Sequence, residues 1–175
     1  MSILRQLHPH QSHALDMLRT SLRTEHRRPL LQAPTGFGKT VVGAHIVAGI
    51  HRHHKRVAFC VPALSLVDQT FERFRENGID PASMGVIQGN HPYRRPHAPI
   101  QIATAQTLTR RDLPEVDYVV VDEAHIRHKV YDRWMAEKPE TVFIGLTATP
   151  WSAGLGKLYD DLLKPTSLAE LIAGG

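Results

Sequence analysis

The segment that most restricts the fold is Ala33-Pro34-Thr35-Gly36-Phe37-Gly38-Lys39-Thr40. A short apolar run, Pro29–Gln32, precedes it. After it comes Lys39–His51, in which Val41, Val42, Ile46, Val47 and Ile50 fall at helical spacing. A strand that turns through glycines directly into a buried helix brings several backbone N–H groups together at the positive end of that helix. Gly36 and Gly38 allow the turn because no Cβ crowds it. Such a loop is a cradle for a phosphate chain. Pro34, Thr35, Gly36, Phe37 and Gly38 line it, Lys39 reaches the β- and γ-phosphates, and the Thr40 hydroxyl can ligate Mg²⁺. Ala33 stands where the general pattern has its first glycine.

The rest of the chain repeats the alternation of apolar strands and amphipathic helices, which implies an α/β fold with a parallel sheet. Helices are predicted at His10–Arg23, Ser65–Asn77 (ended by Gly78), Val130–Lys138 and Leu155–Lys164. Strands are predicted at Arg56–Val61, Met84–Ile87, Ile100–Ala103, Tyr118–Val121 and Thr141–Leu146. Gly89–Pro99, with three prolines, reads as a loop. At 175 residues the chain has room for a single domain. A composition of 42% hydrophobic and 22% charged residues excludes a disordered or fibrous chain. Cys60 is the only cysteine, which excludes an internal disulfide and any multi-cysteine metal site and suits a reducing cytoplasm. No apolar run is long enough to span a membrane. The formal charge of +4 permits a polyanionic partner without requiring one.

A second chemical signal lies downstream. Val119-Val120-Val121 leads directly into Asp122-Glu123-Ala124-His125. A buried strand that releases two carboxylates at its end suits metal-assisted phosphoryl transfer. Asp122 would hold Mg²⁺, and Glu123, pointing elsewhere, could orient and deprotonate an attacking water. Lys39, Asp122 and Glu123 are therefore the expected catalytic residues. The histidines at positions 8, 10 and 13, at 51, 53 and 54, and at 125 and 128 lack a convincing fourth partner for zinc and read as exposed residues near helix ends.

Taken together, Gly36–Thr40, Asp122–His125 and Thr147-Ala148-Thr149-Pro150 resemble motifs I, II and III of superfamily 2 helicases and translocases. The likeness runs from about Leu7 to Pro150. It implies a RecA-like P-loop NTPase domain with helices on both faces of the sheet, in three α/β/α layers. Pro62-Ala63-Leu64-Ser65, with Gln69, is similar to motif Ia. Thr104, Gln106 and Thr107 fall in a stretch similar to the next strand-contacting motif. Gln11 resembles the glutamine that reads adenine, while His125, Thr147 and Thr149 take the positions that couple nucleotide state to nucleic acid. His8 replaces a frequent arginine, and Ala63 a frequent threonine or arginine. Arg94 and Arg95 read as a solvated loop tip, and Phe37 as locally packed.

The resemblance implies a motor using ATP and Mg²⁺ on nucleic acid, with DNA favoured over RNA. The motif-bearing core is residues 1–150, and residues 151–175 extend toward a second RecA-like domain that would supply an arginine finger. Gly175 is therefore expected to lie short of the natural end. The chain alone is expected to be monomeric, to bind nucleotide weakly, and to hydrolyse it slowly. A restriction-enzyme translocase subunit is the neighbouring alternative. A small-molecule phosphotransferase would not explain Thr147–Thr149 or Pro62–Gln69, and a non-catalytic binding module would not explain intact Lys39, Thr40, Asp122 and Glu123.

Overall fold

The computed structural model describes residues 4–174. The order of elements is α1 (Pro9–Arg23), β1 (Pro29–Gln32), α2 (Lys39–Arg52), β2 (Val57–Val61), α3 (Val67–Glu76), β3 (Met84–Val86), β4 (Ile100–Thr104), α4 (Ala105–Thr109), β5 (Tyr118–Val121), α5 (Lys129–Glu137), β6 (Val142–Thr147), α6 (Leu155–Leu158), β7 (Asp161–Leu163) and α7 (Leu168–Ala173). Pro9 opens α1, where its missing N–H costs nothing. Gly78 ends α3 in a left-handed conformation with φ 96°. There the N–H groups of Gly78 and Ile79 return to the carbonyls of Arg75 and Phe74, which satisfies the helix end.

Among the described residues the seven strands form one sheet, in the order β3-β4-β2-β5-β6-β1-β7, with every pair parallel. The strands read as near-continuous apolar runs because both faces are covered. On one face α1, α2 and α3 pack through Leu15, Val47, Phe71 and Phe74 against Leu31, Phe59, Ile102 and Ile144. On the other, α4, α5 and α6 pack through Leu108, Trp134 and Leu155 against Cys60, Val119, Val121 and Phe143. The expected three-layer α/β architecture is therefore present. No helix among the described residues is long and apolar enough to cross a membrane.

One expected element is wrong. Leu155–Lys164 is not a single helix. It stops after Leu158, Tyr159 turns extended, and Asp161–Leu163 becomes an edge strand paired with β1. The leucine spacing does suit a helix, but Asp160 instead accepts from the N–H groups of Arg27 and Arg28, pinning the chain beside β1. Asp161 accepts from the Ser21 hydroxyl at 2.5 Å, which fixes the new strand to α1. Two smaller differences follow from local hydrogen bonding. The helix read from Ser65 begins as a 3-10 turn over Leu64–Leu66, and Thr104 caps the short α4.

Parallel strands all point the same way, so the segments after β4, β2, β5, β6 and β1 leave the sheet along one edge in that spatial order. Every motif singled out in the sequence except Gln11 is delivered to that edge by topology.

Candidate active site

The cradle forms as the glycines require. Gly36 and Gly38 hold φ of 85° and 84°, and Gly38 is the residue from which α2 starts. Among the described residues nothing lies within 4 Å of a Cβ built on Gly36, so the loop is open outward there. Gly38 is different: a Cβ there would come within 2.4 Å of Gln11 Nε2. Phe37 faces inward and is fully buried in the core, so it anchors the loop from below. Pro34 is buried, Thr35 exposed and Thr40 half-buried in the first turn of α2.

Gln11 is buried and linked at both ends of its amide. Its Nε2 donates to the Phe37 carbonyl at 2.9 Å, and its Oε1 accepts from the His8 N–H at 3.0 Å. It therefore clamps the start of α1 to the phosphate loop. One amide hydrogen and one lone pair remain for a base.

The Lys39 ammonium reaches across the edge to β5. It pairs with Glu123 and lies 3.8 Å from Asp122 Oδ1. Glu123 is a non-glycine residue with positive φ, 51°. Across this left-handed turn both adjacent acids face the Lys39 ammonium, and backbone strain of this kind concentrates at functional sites. The Asp122 carboxylate accepts from the Glu123 N–H at 2.9 Å. Its pKa is raised above the ordinary carboxylate range, chiefly by burial. Lys39 opposes the rise and the Glu123 charge adds to it. A desolvated carboxylate with a spare oxygen gains strongly from a nearby cation, so the donor set of Asp122 and Thr40 fits a hard divalent ion.

From Glu123 the contacts continue into β6. His125 Nδ1 lies 3.4 Å from Glu123 Oε2 and 2.9 Å from Thr147 Oγ1. The Thr147 hydroxyl also accepts from the Thr149 N–H at 3.0 Å, and the Thr147 carbonyl accepts from the Ala33 N–H at 2.8 Å. The Thr149 hydroxyl is buried without a partner among the described residues. Lys39, Glu123, His125 and Thr147 thus form one chain of contacts from the loop to the end of β6.

The residues compared with strand-contacting motifs sit further along the same edge. Ala63, Leu64, Ser65, Gln69 and Gln106 are exposed, while Pro62 and Thr107 are half-buried. Thr104 is buried, and its hydroxyl accepts from the Thr107 N–H at 3.2 Å. Its role in the structure is to cap α4 and present that turn. Arg95 donates to the Pro81 carbonyl at 2.6 Å and stacks over Tyr93, whereas Arg94 is exposed.

A pocket of about 590 Å³ lies beside the loop. Gln11, Thr35, Gly36 and Gly38 line it, together with residues that carry no motif: Arg5, His10, Thr166 and Glu170. Only Glu170 has a readable signal in the sequence, as the last residue of the Ser167–Glu170 capping box.

Residues 4–152 match the family described as type III restriction enzyme, res subunit. The chain belongs to that family. It is an N-terminal RecA-like domain of superfamily 2, and the family implies use of a nucleotide. Over 129 residues this superfamily 2 domain is 32% identical to the antiviral helicase SKI2 of Saccharomyces cerevisiae. That match covers 67% of the chain but 10% of the yeast protein. Among solved structures it resembles the UvsW helicase of bacteriophage T4, with a TM-score of 0.77 and 18% identity over 94% of this chain and 64% of that one. It also resembles a nuclease-deletion mutant of the type ISP restriction-modification enzyme LlaGI in complex with a DNA substrate mimic. There the TM-score is 0.74 and the identity 15%, covering 97% of this chain and 20% of that one. This superfamily 2 domain therefore spans a minor part of the yeast and LlaGI proteins and less than two thirds of the UvsW chain.

Proposed function

We propose that this domain binds ATP with Mg²⁺ and hydrolyses it as the first half of a motor that moves on nucleic acid, DNA in preference to RNA. The observation that carries the reading is the meeting of Lys39, after β1, with Asp122 and Glu123, after β5, across the end of the intervening β6. A glycine turn alone, or an acidic strand end alone, would be unremarkable.

The loop amides and Lys39 would hold the β- and γ-phosphates. Thr40 and Asp122 would hold Mg²⁺, whose charge offsets that of the phosphates. For this, Lys39 has to leave Glu123 for phosphate oxygens. The exchange frees the Glu123 carboxylate to accept a proton from the water that attacks the γ-phosphorus. His125 would keep Glu123 oriented and pass its position to Thr147. The exposed residues of Pro62–Ser65, Gln69 and the α4 turn would meet the sugar–phosphate backbone, which gives little sequence preference. A second RecA-like domain would supply an arginine to the transition state, a contribution on the order of 10³–10⁵ in rate in related nucleotidases. The compartment that suits the lone reduced cysteine is the cytoplasm.

The test is Glu123→Gln in a protein carrying both motor domains. Nucleotide binding should persist within a fewfold, and turnover with and without single-stranded DNA should fall about 10²–10⁴-fold, the range for loss of a general base. Hydrolysis surviving the change would remove Glu123 from the mechanism.

A further inference from the structure

The pocket beside the phosphate loop has two walls, and only one belongs to the motif-bearing core. The inner wall is Arg5, Gln6, His8, His10 and Gln11; the outer wall is Thr166, Glu170, Leu171, Ile172 and Gly174. The loop glycines form the floor between them. The inner wall is well fixed. The Arg5 N–H donates to the Asn77 carbonyl at 3.2 Å, the Arg5 carbonyl meets His45 Nε2 at 2.7 Å, and Leu4 and Leu7 pack on the core. The His8 and His10 rings lie parallel, 5.6 Å apart, and His10 rests 5.0 Å from the buried Phe37 ring.

The outer wall arrives by a different route. β7 runs parallel to β1, so the chain leaves the sheet on the same edge as the phosphate loop and next to it. Pro165 interrupts the strand, and Ser167 with Glu170 closes a capping box that starts α7. The Glu170 carboxylate also accepts from the Thr166 hydroxyl at 3.1 Å. Six residues are too few for a helix to persist unaided. Leu171 packs against the main core, while Ile172 is 74% exposed. The outer wall is therefore weakly held.

We propose that α7 and Thr166 form the second wall of a purine-base pocket, so that the residues after the last recognised motif belong to the nucleotide site and close on a bound base. This rests on the nucleotide reading above. Phosphates on the loop floor place the attached base beside Gln11, between the imidazole wall and α7. A planar base touching both walls adds contacts to the closed arrangement only, which shifts a weakly held segment toward closure. Polyphosphate without a base occupies the floor and touches neither wall.

The experiment measures equilibrium and stopped-flow binding of a fluorescent ADP, and competition by inorganic tripolyphosphate, in the full chain. Leu171→Ala loosens the anchor of α7, and Ile172→Lys alters the wall at an exposed position that cannot disturb the fold. Unchanged thermal unfolding without ligand checks that both variants fold. The expected result is a fivefold or greater loss of ADP affinity in Leu171→Ala, seen mainly as faster dissociation, a smaller loss in Ile172→Lys, and unaltered tripolyphosphate binding. ADP affinity within twofold of the parent in both variants overturns the proposal, as does tighter binding, which would make α7 a plug. Equal losses for ADP and tripolyphosphate also overturn it, because the effect would then lie in the loop. If the parent protein binds neither probe, the nucleotide reading itself falls and the wall with it.

Discussion

The two halves of the carboxyl edge are built differently. At the ends of β1, β5 and β6, the functional side chains are tied to one another: Lys39 to Glu123, Glu123 to His125, and His125 to Thr147. At the ends of β2 and β4, Ala63, Leu64, Ser65, Gln69 and Gln106 stand exposed, while the buried Thr104 and its contact with Thr107 serve a helix cap. Chemistry on a phosphate needs charges held in register before the substrate arrives, since reorganising them during reaction raises the barrier. Gripping a uniform backbone requires accessible donors and tolerates loose ones.

Substitutions should separate the two halves, and the largest effect belongs to the wired one. Lys39→Ala removes the cation that would meet the phosphates and leaves two neighbouring acids facing the same space. Nucleotide affinity should fall at least about 100-fold, a loss near 2.7 kcal/mol. Binding of single-stranded DNA without nucleotide should stay within a fewfold. A calorimetric titration of each ligand reads both, and a parallel loss of DNA binding would dissolve the distinction between the halves.

Gly38→Ala comes next. Its left-handed backbone costs roughly 1–2 kcal/mol for an L side chain, and the new methyl group would meet Gln11 Nε2. Gln11 must then release the Phe37 carbonyl. Chemical denaturation should show a stability loss of about 2–3 kcal/mol, with weaker nucleotide binding. An unchanged midpoint would mean that the clamp can shift without consequence.

At the exposed half the effects should be smaller. Ser65→Ala with Gln69→Ala is expected to reduce DNA-stimulated turnover a few-fold in the two-domain protein and to leave nucleotide affinity alone. A salt series gives the check, because a weaker grip on the phosphates should flatten the dependence of DNA binding on salt.

The smallest effect tests the core beneath both halves. Cys60 lies on β2, fully buried, and burial pushes its thiol up to about 12 against a hydrogen bond with Tyr131. The folded state therefore favours the neutral thiol. That preference contributes fully below the unfolded thiol pKa, about 8.5, and is lost as pH rises from there through the folded value. Iodoacetamide at pH 8 should label the native protein negligibly and the denatured protein completely. Mass spectrometry distinguishes the two.

Much of the candidate site's geometry was legible because its residues are neighbours in sequence as well as in space. Glycines at 36 and 38 announce the turn, and an apolar run ending in two acids announces β5. The meeting of the two could be expected from the family resemblance, and the parallel sheet realises it. The fate of residues 155–164 could not be read the same way. Leucine spacing there suits a helix, and the deciding contacts come from Arg27, Arg28 and Ser21, more than a hundred positions away. The outer wall of the pocket was hidden for the same reason, since it depends on where β7 directs the chain. Gln11 resembles a base-reading glutamine in sequence, but its hold on the loop needs the fold to bring residues 11 and 37 together.

The left-handed turn at Glu123 carries a further consequence. Glycine would occupy that conformation without strain, so Glu123→Gly should relax the backbone while deleting the carboxylate beside Lys39. Robustness and reactivity pull in opposite directions at this one position. A more heat-resistant and catalytically silent protein is the expected product, and scanning calorimetry beside a turnover assay would show whether endurance has been traded for work there.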